Sequence, residues 1–243
     1  MGKKAMIFAA GLGTRLAPLT DDKPKALVEV GGKTMLQRTI ETLLNADVEE
    51  IVINVHHFAD LIKRTIPDYN YTGVKFYISD ESDMLLDTGG GLLKASDFLN
   101  GTEPFFVHNV DIISDINLKD MYQKHLDEQA LATLAVSHRN STRGFLWVEN
   151  RLCGWQNIQT GTEIKCYSTP IPPKVLAFSG VHIISPSIFP EITETGKFSI
   201  NQVYLRLAFQ HKIMAYEHNA NYWADLGTTE KIAQAEKILQ KKP

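Results

Sequence analysis

Two kinds of apolar pattern alternate along the first eighty residues, and that alternation restricts the fold more than any other feature. Ala5 to Ala10 is a continuous apolar run, which reads as a buried strand. Ala26 to Val30 reads as a short strand closed by a turn at Gly31-Gly32. Thr34 is placed to cap a helix, whose apolar stripe is Leu36, Ile40, Leu43 and Leu44. Ile51 to Val55 is a β-branched run, a second buried strand. Phe58, Leu61, Ile62 and Ile66 recur at helical spacing, and Val74, Phe76 and Ile78 alternate as a strand. Strand, helix, strand, helix, strand implies an α/β fold with a largely parallel sheet and helices on both faces. Ligands on such sheets bind at the carboxyl ends of strands. At 243 residues the chain is long enough for one large domain of this kind.

The loop after the first strand carries the chemistry. From Ala9 to Lys25 it reads Ala-Ala-Gly-Leu-Gly-Thr-Arg-Leu-Ala-Pro-Leu-Thr-Asp-Asp-Lys-Pro-Lys. Gly11 and Gly13 let bare backbone approach a ligand, and glycine takes positive φ where a tight turn needs it. Consecutive loop amides can then face an anion. Arg15, Lys23 and Lys25 add fixed positive charge, so the stretch suits a polyphosphate. Neither glycine has the Gly-Lys pair of a P-loop behind it. Leu16 stands where a dinucleotide fingerprint needs its third glycine, and Pro18 and Pro24 argue against a helix here.

Gly11-Leu-Gly-Thr-Arg15 with Pro18-Leu-Thr20 and Pro24-Lys25 resembles the signature of the sugar-1-phosphate nucleotidyltransferases. The resemblance implies a Rossmann-like mixed, mostly parallel sheet flanked by helices, of the GT-A-like kind. It implies that Ala10, Gly11, Gly13 and Thr14 wrap a nucleoside triphosphate while Arg15 and Lys25 hold its phosphates. Further motifs extend the match over nearly the whole chain. Asp87-Thr-Gly-Gly-Gly91 corresponds to the family's glycine segment against nucleobase and sugar, which points to Gly89 and Gly90. Three glycines at a helix start lose backbone entropy, and close approach of something flat offsets that loss. Glu81, or else Asp80, matches the side chain that reads the base edge.

Phe105 to Val107 reads as a central strand ending in His108-Asn-Val-Asp111. The family places a magnesium aspartate at Asp111; Val110 replaces its usual glycine. Asp115 could instead be a helix cap. Asn109 would face the sugar. Ala177-Phe-Ser-Gly180 resembles the Phe-x-Gly strand whose glycine lets the sugar ring approach. Tyr222-Trp-Ala-Asp225-Leu-Gly-Thr228 matches the second metal motif, with Asp225 as ligand and Thr228 as cap of a final helix. Between about 137 and 175 the match is poor. Trp147 to Trp155 suggests a hairpin in a sugar-binding insertion, and Glu163-Ile-Lys165 stands where relatives carry Glu-Lys-Pro. His56-His57 follows a strand, but adjacent side chains diverge, so these read as loop histidines beside the cleft.

Composition removes other classes. Lys+Arg 25 against Asp+Glu 28 gives −3, which argues against a nucleic-acid binder driven by bulk charge. No stretch is as long and apolar as a transmembrane helix, and the apolar run from Ala5 stops too soon for a secretory signal. Cys153 and Cys166 have neither zinc-site spacing nor a disulfide framework. The expected compartment is cytoplasmic, with no nucleic-acid or membrane partner. A single domain from 1 to 243 is expected, without the β-helical domain of longer relatives. Nothing in the residues speaks to oligomeric state.

The expected reaction joins a nucleoside triphosphate and a sugar 1-phosphate, giving a nucleotide sugar and pyrophosphate. Arg15, Lys25, Asp111 and Asp225 are the expected catalytic set. Two aspartates from distant strands suit Mg²⁺, which takes oxygen ligands and keeps substrate phosphates in its shell. The chain resembles the N-acetylmuramate-1-phosphate uridylyltransferases and also the mannose-1-phosphate guanylyltransferases. Muramate carries a lactyl carboxylate, and Arg143 or Arg139 would supply a cation for it. A phosphocholine cytidylyltransferase would need an aromatic cage, with Trp147, Trp155 and Tyr167 as its material. A non-catalytic nucleotide-binding module is the alternative from another class.

Overall fold

The computed structural model describes residues 2–240. The chain enters through β1 (Lys3–Phe8), passes the glycine loop, and makes a small ladder of β2 (Glu29–Val30) with β3 (Lys33–Thr34). Helix α1 (Met35–Leu44) follows, with the Gln37 N–H donating to Thr34 Oγ1 at 3.0 Å, as the cap expectation required. Next come β4 (Val48–Val55), α2 (Ala59–Asp68) and β5 (Lys75–Asp80). Helices α3 (Asp87–Lys94) and α4 (Ser96–Leu99) lead into β6 (Phe105–Asn109). β1 runs parallel to both β4 and β6, and β4 is parallel to β5.

Alternate residues of these strands serve two cores. Ala5, Ile7, Ile51 and Ile53 face α1 and α2, meeting Leu36, Ile40 and Ile62. Met6, Val52, Phe105 and Val107 face the other side, meeting Leu92 of α3 and Leu99 of α4. Both faces are covered because strands buried on two sides are continuous apolar runs, not alternating ones. Fully burying each of the larger side chains among these contributes roughly 1.5–3 kcal/mol.

The second half mixes directions. After β7 (Ile112–Ser114), α5 (Leu118–Glu128) and β8 (Ala132–Ser137) come β9 (Arg143–Val148), β10 (Arg151–Asn157) and β11 (Thr162–Lys165). β12 (Lys174–Ile184), α6 (Ile200–Leu207), β13 (Ile213–Glu217), β14 (Trp223–Asp225) and α7 (Thr229–Leu239) complete the described chain. β12 lies antiparallel to β6 and β8 with one half and to β9 with the other, while β13 is parallel to β8. The resulting ten-stranded sheet is mixed and flanked by helices. The β9–β10 hairpin turns on Glu149 and Asn150, both at positive φ, which matches the twist of two-residue hairpins. Its strands join the main sheet directly.

Three local expectations change. The first strand ends at Phe8, which leaves Ala9 and Ala10 in the loop. Lys25–Leu27 forms a 3₁₀ turn, so only Glu29–Val30 of the second run is strand. Asn117, not Asp115, caps α5; Asp115 instead accepts from Tyr222 N and Asn221 Nδ2. It thereby ties the end of β7 to the start of β14. Among the described residues, no helix is long and apolar enough to cross a membrane.

Candidate active site

A cleft of about 500 Å³ opens at the carboxyl ends of β1, β4 and β6, beside the first turn of α3. The glycine loop forms one wall. Gly13 has φ +67°, and a Cβ there would stand 3.1 Å from both Lys25 Cβ and Thr20 Cγ2. Its carbonyl accepts from Leu16 N at 2.8 Å and Thr20 Oγ1 at 3.1 Å, which folds the loop back on itself. A Cβ on Gly11 would meet nothing within 4 Å. Ala10, Gly11, Gly13, Thr14, Arg15 and Lys25 all line the cleft, where the sequence motif put them.

The two aspartates are far apart in sequence and meet through a two-strand ladder. β14 pairs antiparallel with β7, setting Asp225 opposite Ile112. Leu226 N then donates to the Asp111 carbonyl at 2.8 Å. Asp111 pairs with the buried Lys25 ammonium through Oδ2. Asp225 Oδ2 lies 2.9 Å from Lys231 Nζ, on the first turn of α7. A side chain at Gly227 would stand 3.0 Å from both Arg15 Nη2 and Asp225 Oδ1, so glycine keeps that space open. Thr228 Oγ1 accepts from Lys231 N at 3.4 Å and caps the helix. The described residues contain no cluster of three or more His, Cys, Asp and Glu able to hold a metal. Two carboxylates beside a loop of amides and cations nonetheless have the donor chemistry for Mg²⁺, which needs few protein oxygens when phosphates complete its shell.

The floor of the cleft holds a buried relay of Glu81, which the sequence singled out, and Asn54, which it did not. Asn54 Oδ1 accepts from Ala9 N, and its Nδ2 donates to Glu81 Oε1, both at 2.7 Å. Glu81 is fully enclosed, and its Oε2 accepts from Leu86 N at 3.1 Å. Glu81 therefore lies in the cleft lining, yet both its oxygens are bonded to the chain. That makes it a brace between the strand ends of β4 and β5 and the entry of α3. Asp80 faces the surface; hydrogen bonds from Lys63 and Ser82 hold its carboxyl well below the usual range. The signal for Asn54 was available: it is the one polar residue in the run Ile51 to Val55.

Gly89 and Gly90 require correction. They sit inside α3 and are buried, but they do not line the cleft. A Cβ on Gly89 would fall 2.3 Å from the Phe198 ring, and one on Gly90 would fall 2.3 Å from the Gly196 carbonyl. The close approach is by the protein's own segment 196–198. Gly91 would meet Glu81 Oε1 at 2.6 Å. Asp87 and Thr88, one step earlier, do reach the cleft.

Asn109 also lines the cleft, and Gly180 lies against Asn109. Gly180 has φ +78°, and a Cβ there would be 3.2 Å from Asn109 Nδ2 and 2.6 Å from Ile112. Arg143 is exposed at the start of β9 and does not enter the cleft. Arg139 does not line it either; its guanidinium stands 3.9 Å above the Trp223 ring. It donates through Nη1 to Ser137 Oγ, the Ala177 carbonyl and Ser179 Oγ, and through Nη2 to the Phe178 carbonyl. Glu163 and Lys165 pair with each other at 3.3 Å on the exposed edge strand β11, outside the cleft. His56 Nδ1 bonds the Glu81 carbonyl, while His57 packs at a tilt against the Phe58 ring, so the two side chains have different partners. Burial pushes His108 down to about 4 and His182 down to about 3, which keeps both imidazoles neutral. Both side chains are almost fully buried, and neither lines the cleft.

This arrangement joins a folded-back loop of amides and cations to two aspartates and to Asn109 with Gly180 behind it. Residues 4–242 match the Nucleotidyl transferase family model, and the chain belongs to the sugar-1-phosphate nucleotidyltransferase family. Among its relatives is the N-acetylmuramate alpha-1-phosphate uridylyltransferase of Caulobacter vibrioides, 48% identical over 113 residues, 46% of this chain and 46% of that one. The protein of the same name from Neisseria meningitidis serogroup B is 31% identical over 97% of both chains. The mannose-1-phosphate guanylyltransferase catalytic subunit beta of Dictyostelium discoideum is 30% identical over 92% of this chain and 61% of its own. The chain thus spans about half to three fifths of two of these relatives. A solved structure of a putative glucose-1-phosphate thymidylyltransferase from Bacillus anthracis superposes with a TM-score of 0.80 at 19% identity, over 99% of this chain and 96% of that one. That likeness is one of fold.

Proposed function

We propose that the protein joins UTP and N-acetylmuramate 1-phosphate into UDP-N-acetylmuramate and pyrophosphate, in the cytoplasm. The observation that carries the reaction class is the β7–β14 ladder, which brings the backbones of Asp111 and Asp225 to neighbouring positions, with Asp225 Oδ1 and Arg15 Nη2 both beside Gly227. The relatives from Caulobacter and Neisseria support the choice of base and sugar.

In this reading the triphosphate lies along the amides of the Ala10–Thr14 loop. Arg15 and Lys25 offset its charge. The sugar lies against Asn109 and Gly180. No activated side chain is needed, because the sugar phosphate is already anionic at neutral pH. Its oxygen attacks the α-phosphorus in line. The bond to the bridging oxygen breaks, and pyrophosphate leaves with the electron pair. The protein's part is to align two anions and to stabilise charge as it develops. Asp111 and Asp225 would hold Mg²⁺, which supplies further positive charge to the phosphates when bound.

The test is pyrophosphate release with Mg²⁺, across the common nucleoside triphosphates and a panel of sugar 1-phosphates. We expect UTP with N-acetylmuramate 1-phosphate to give the highest kcat/KM. GTP with mannose 1-phosphate as the preferred pair would overturn that choice and favour the relation to the Dictyostelium protein. Release with no pair, while a nucleotide still binds, would sink the catalytic reading.

A further inference from the structure

We propose that Lys197 selects for the sugar, pairing its ammonium with the lactyl carboxylate of N-acetylmuramate 1-phosphate; this rests on the muramate reading above. Muramate differs from N-acetylglucosamine by a lactyl ether bearing one carboxylate. A site that prefers it needs a cation not already committed to the phosphates or to the protein. The obvious candidates fail. Arg143 lies outside the cleft. Lys165 is paired with Glu163 on the sheet edge. Arg139 is pinned by four acceptors of its own chain. Lys231 holds Asp225, and Lys25 holds Asp111.

Lys197 lines the cleft, and its side chain has no bonded or ion-paired partner among the described residues. The nearby rim carboxylate Asp87 accepts from its own neighbour, Thr88 N, at 2.6 Å. The backbone around Lys197 is fixed on both sides. Phe198 N donates to the Leu86 carbonyl at 3.2 Å, and the Phe198 carbonyl accepts from Gly89 N at 2.9 Å and Gly90 N at 3.3 Å. Ile200 N donates to Thr88 Oγ1 at 3.1 Å. Gly196, at φ +72°, turns the chain into this strap. The Cα of Lys197 is therefore held at the rim while the long side chain is free to close on a ligand. Its anchor is α3, whereas Lys25, Asp111 and Asp225 belong to the phosphate end. An unpaired cation mounted apart from the phosphate charges suits an anion elsewhere on the substrate, and among the candidate sugars muramate supplies one.

The experiment measures kcat/KM with UTP for N-acetylmuramate 1-phosphate and for N-acetylglucosamine 1-phosphate, in the wild type, Lys197→Met and Lys197→Arg. Methionine keeps the stem and removes the charge. We expect wild type to prefer muramate, Lys197→Met to lower the muramate-to-glucosamine ratio at least tenfold, and Lys197→Arg to keep it within about threefold of wild type. A ratio left intact in Lys197→Met, with wild type still preferring muramate, overturns the assignment of Lys197 alone. Equal losses on both sugars together with a raised KM for UTP would make Lys197 a nucleotide contact, which also overturns it. A wild type that shows no preference for muramate removes the muramate reading, and this proposal with it. Matching melting temperatures for the three proteins establish that the ratio reports on the site and not on folding.

Discussion

The two glycine clusters of this chain look alike in sequence and do opposite things. Gly11 and Gly13 lie in an open loop, and at Gly11 an added methyl group would point into empty space. Gly89, Gly90 and Gly91 lie in the first turns of α3, and an added methyl at each would strike the protein itself. At Gly11 the first cluster leaves room for a ligand, while Gly13 turns the loop back against Lys25 and Thr20. The second is already filled, by Phe198, by the Gly196 carbonyl and by Glu81. A run of glycines announces that something approaches the backbone closely; it does not say whether that something is substrate or chain. The difference also shows how the cleft is built. The strap 196–198 that fills the second cluster is the one that presents Lys197 to the cavity.

If the contrast is right, substitutions at the two clusters should separate stability from binding. The largest effect is expected at Gly90. A Cβ there would lie 2.3 Å from a backbone carbonyl oxygen, that of Gly196, which cannot rotate away. Overpacking of this kind typically costs 1–3 kcal/mol, and with rigid backbone as the obstacle we expect Gly90→Ala to lose about 3 kcal/mol in urea unfolding. A Gly90→Ala protein as stable as wild type would mean that the strap is not seated on α3 as described. Gly91→Ala comes next, at about 2 kcal/mol. Its methyl would press on Glu81 Oε1, which accepts from Asn54 Nδ2, while Oε2 of the same carboxylate accepts from Leu86 N. It is the point where the filled cluster touches the cleft floor, so KM for UTP should rise along with the loss of stability. A stability loss with KM untouched would separate Glu81 from the nucleotide site.

Much of this was legible in the sequence, and the rest was hidden for physical reasons. The parallel half follows from local pattern, because strands buried on both faces are continuous apolar runs and helices carry one stripe. The loop residues and both aspartates could be found because each belongs to a contiguous motif. That Asp111 and Asp225 share a ladder could not be read, since β7 and β14 are three residues each and separated by more than a hundred. The role of Gly89 and Gly90 was misread because their neighbour, Phe198, is equally remote. Arg143 and Arg139 were equal on charge alone; only tertiary structure puts one on the surface and pins the other. Lys197 carried no motif at all. Its meaning depends on Phe198 and Ile200 being bonded to α3, which no spacing along the chain reveals.

The smallest effect is expected at Gly11, and its sign is the sharpest test of the comparison. Gly11 is not among the glycines at positive φ, so alanine there is free of backbone strain. Nothing lies within 4 Å of the added methyl. Replacing glycine by alanine at a compatible position restricts the unfolded chain and stabilises by about 0.4–1 kcal/mol. Gly11→Ala should therefore melt at or slightly above the wild-type temperature. The same methyl occupies the loop space in which we propose the triphosphate lies, so UTP affinity should fall about tenfold, or about 1.4 kcal/mol. Stability and binding then move in opposite directions in a single variant, while at Gly90 the primary loss is stability. A Gly11→Ala protein that loses stability would mean that this loop, too, is filled by the chain, and the distinction between the clusters would collapse. A protein that keeps both stability and UTP affinity would instead move the triphosphate off the loop, and with it the reading of Arg15 and Lys25 as its charge partners.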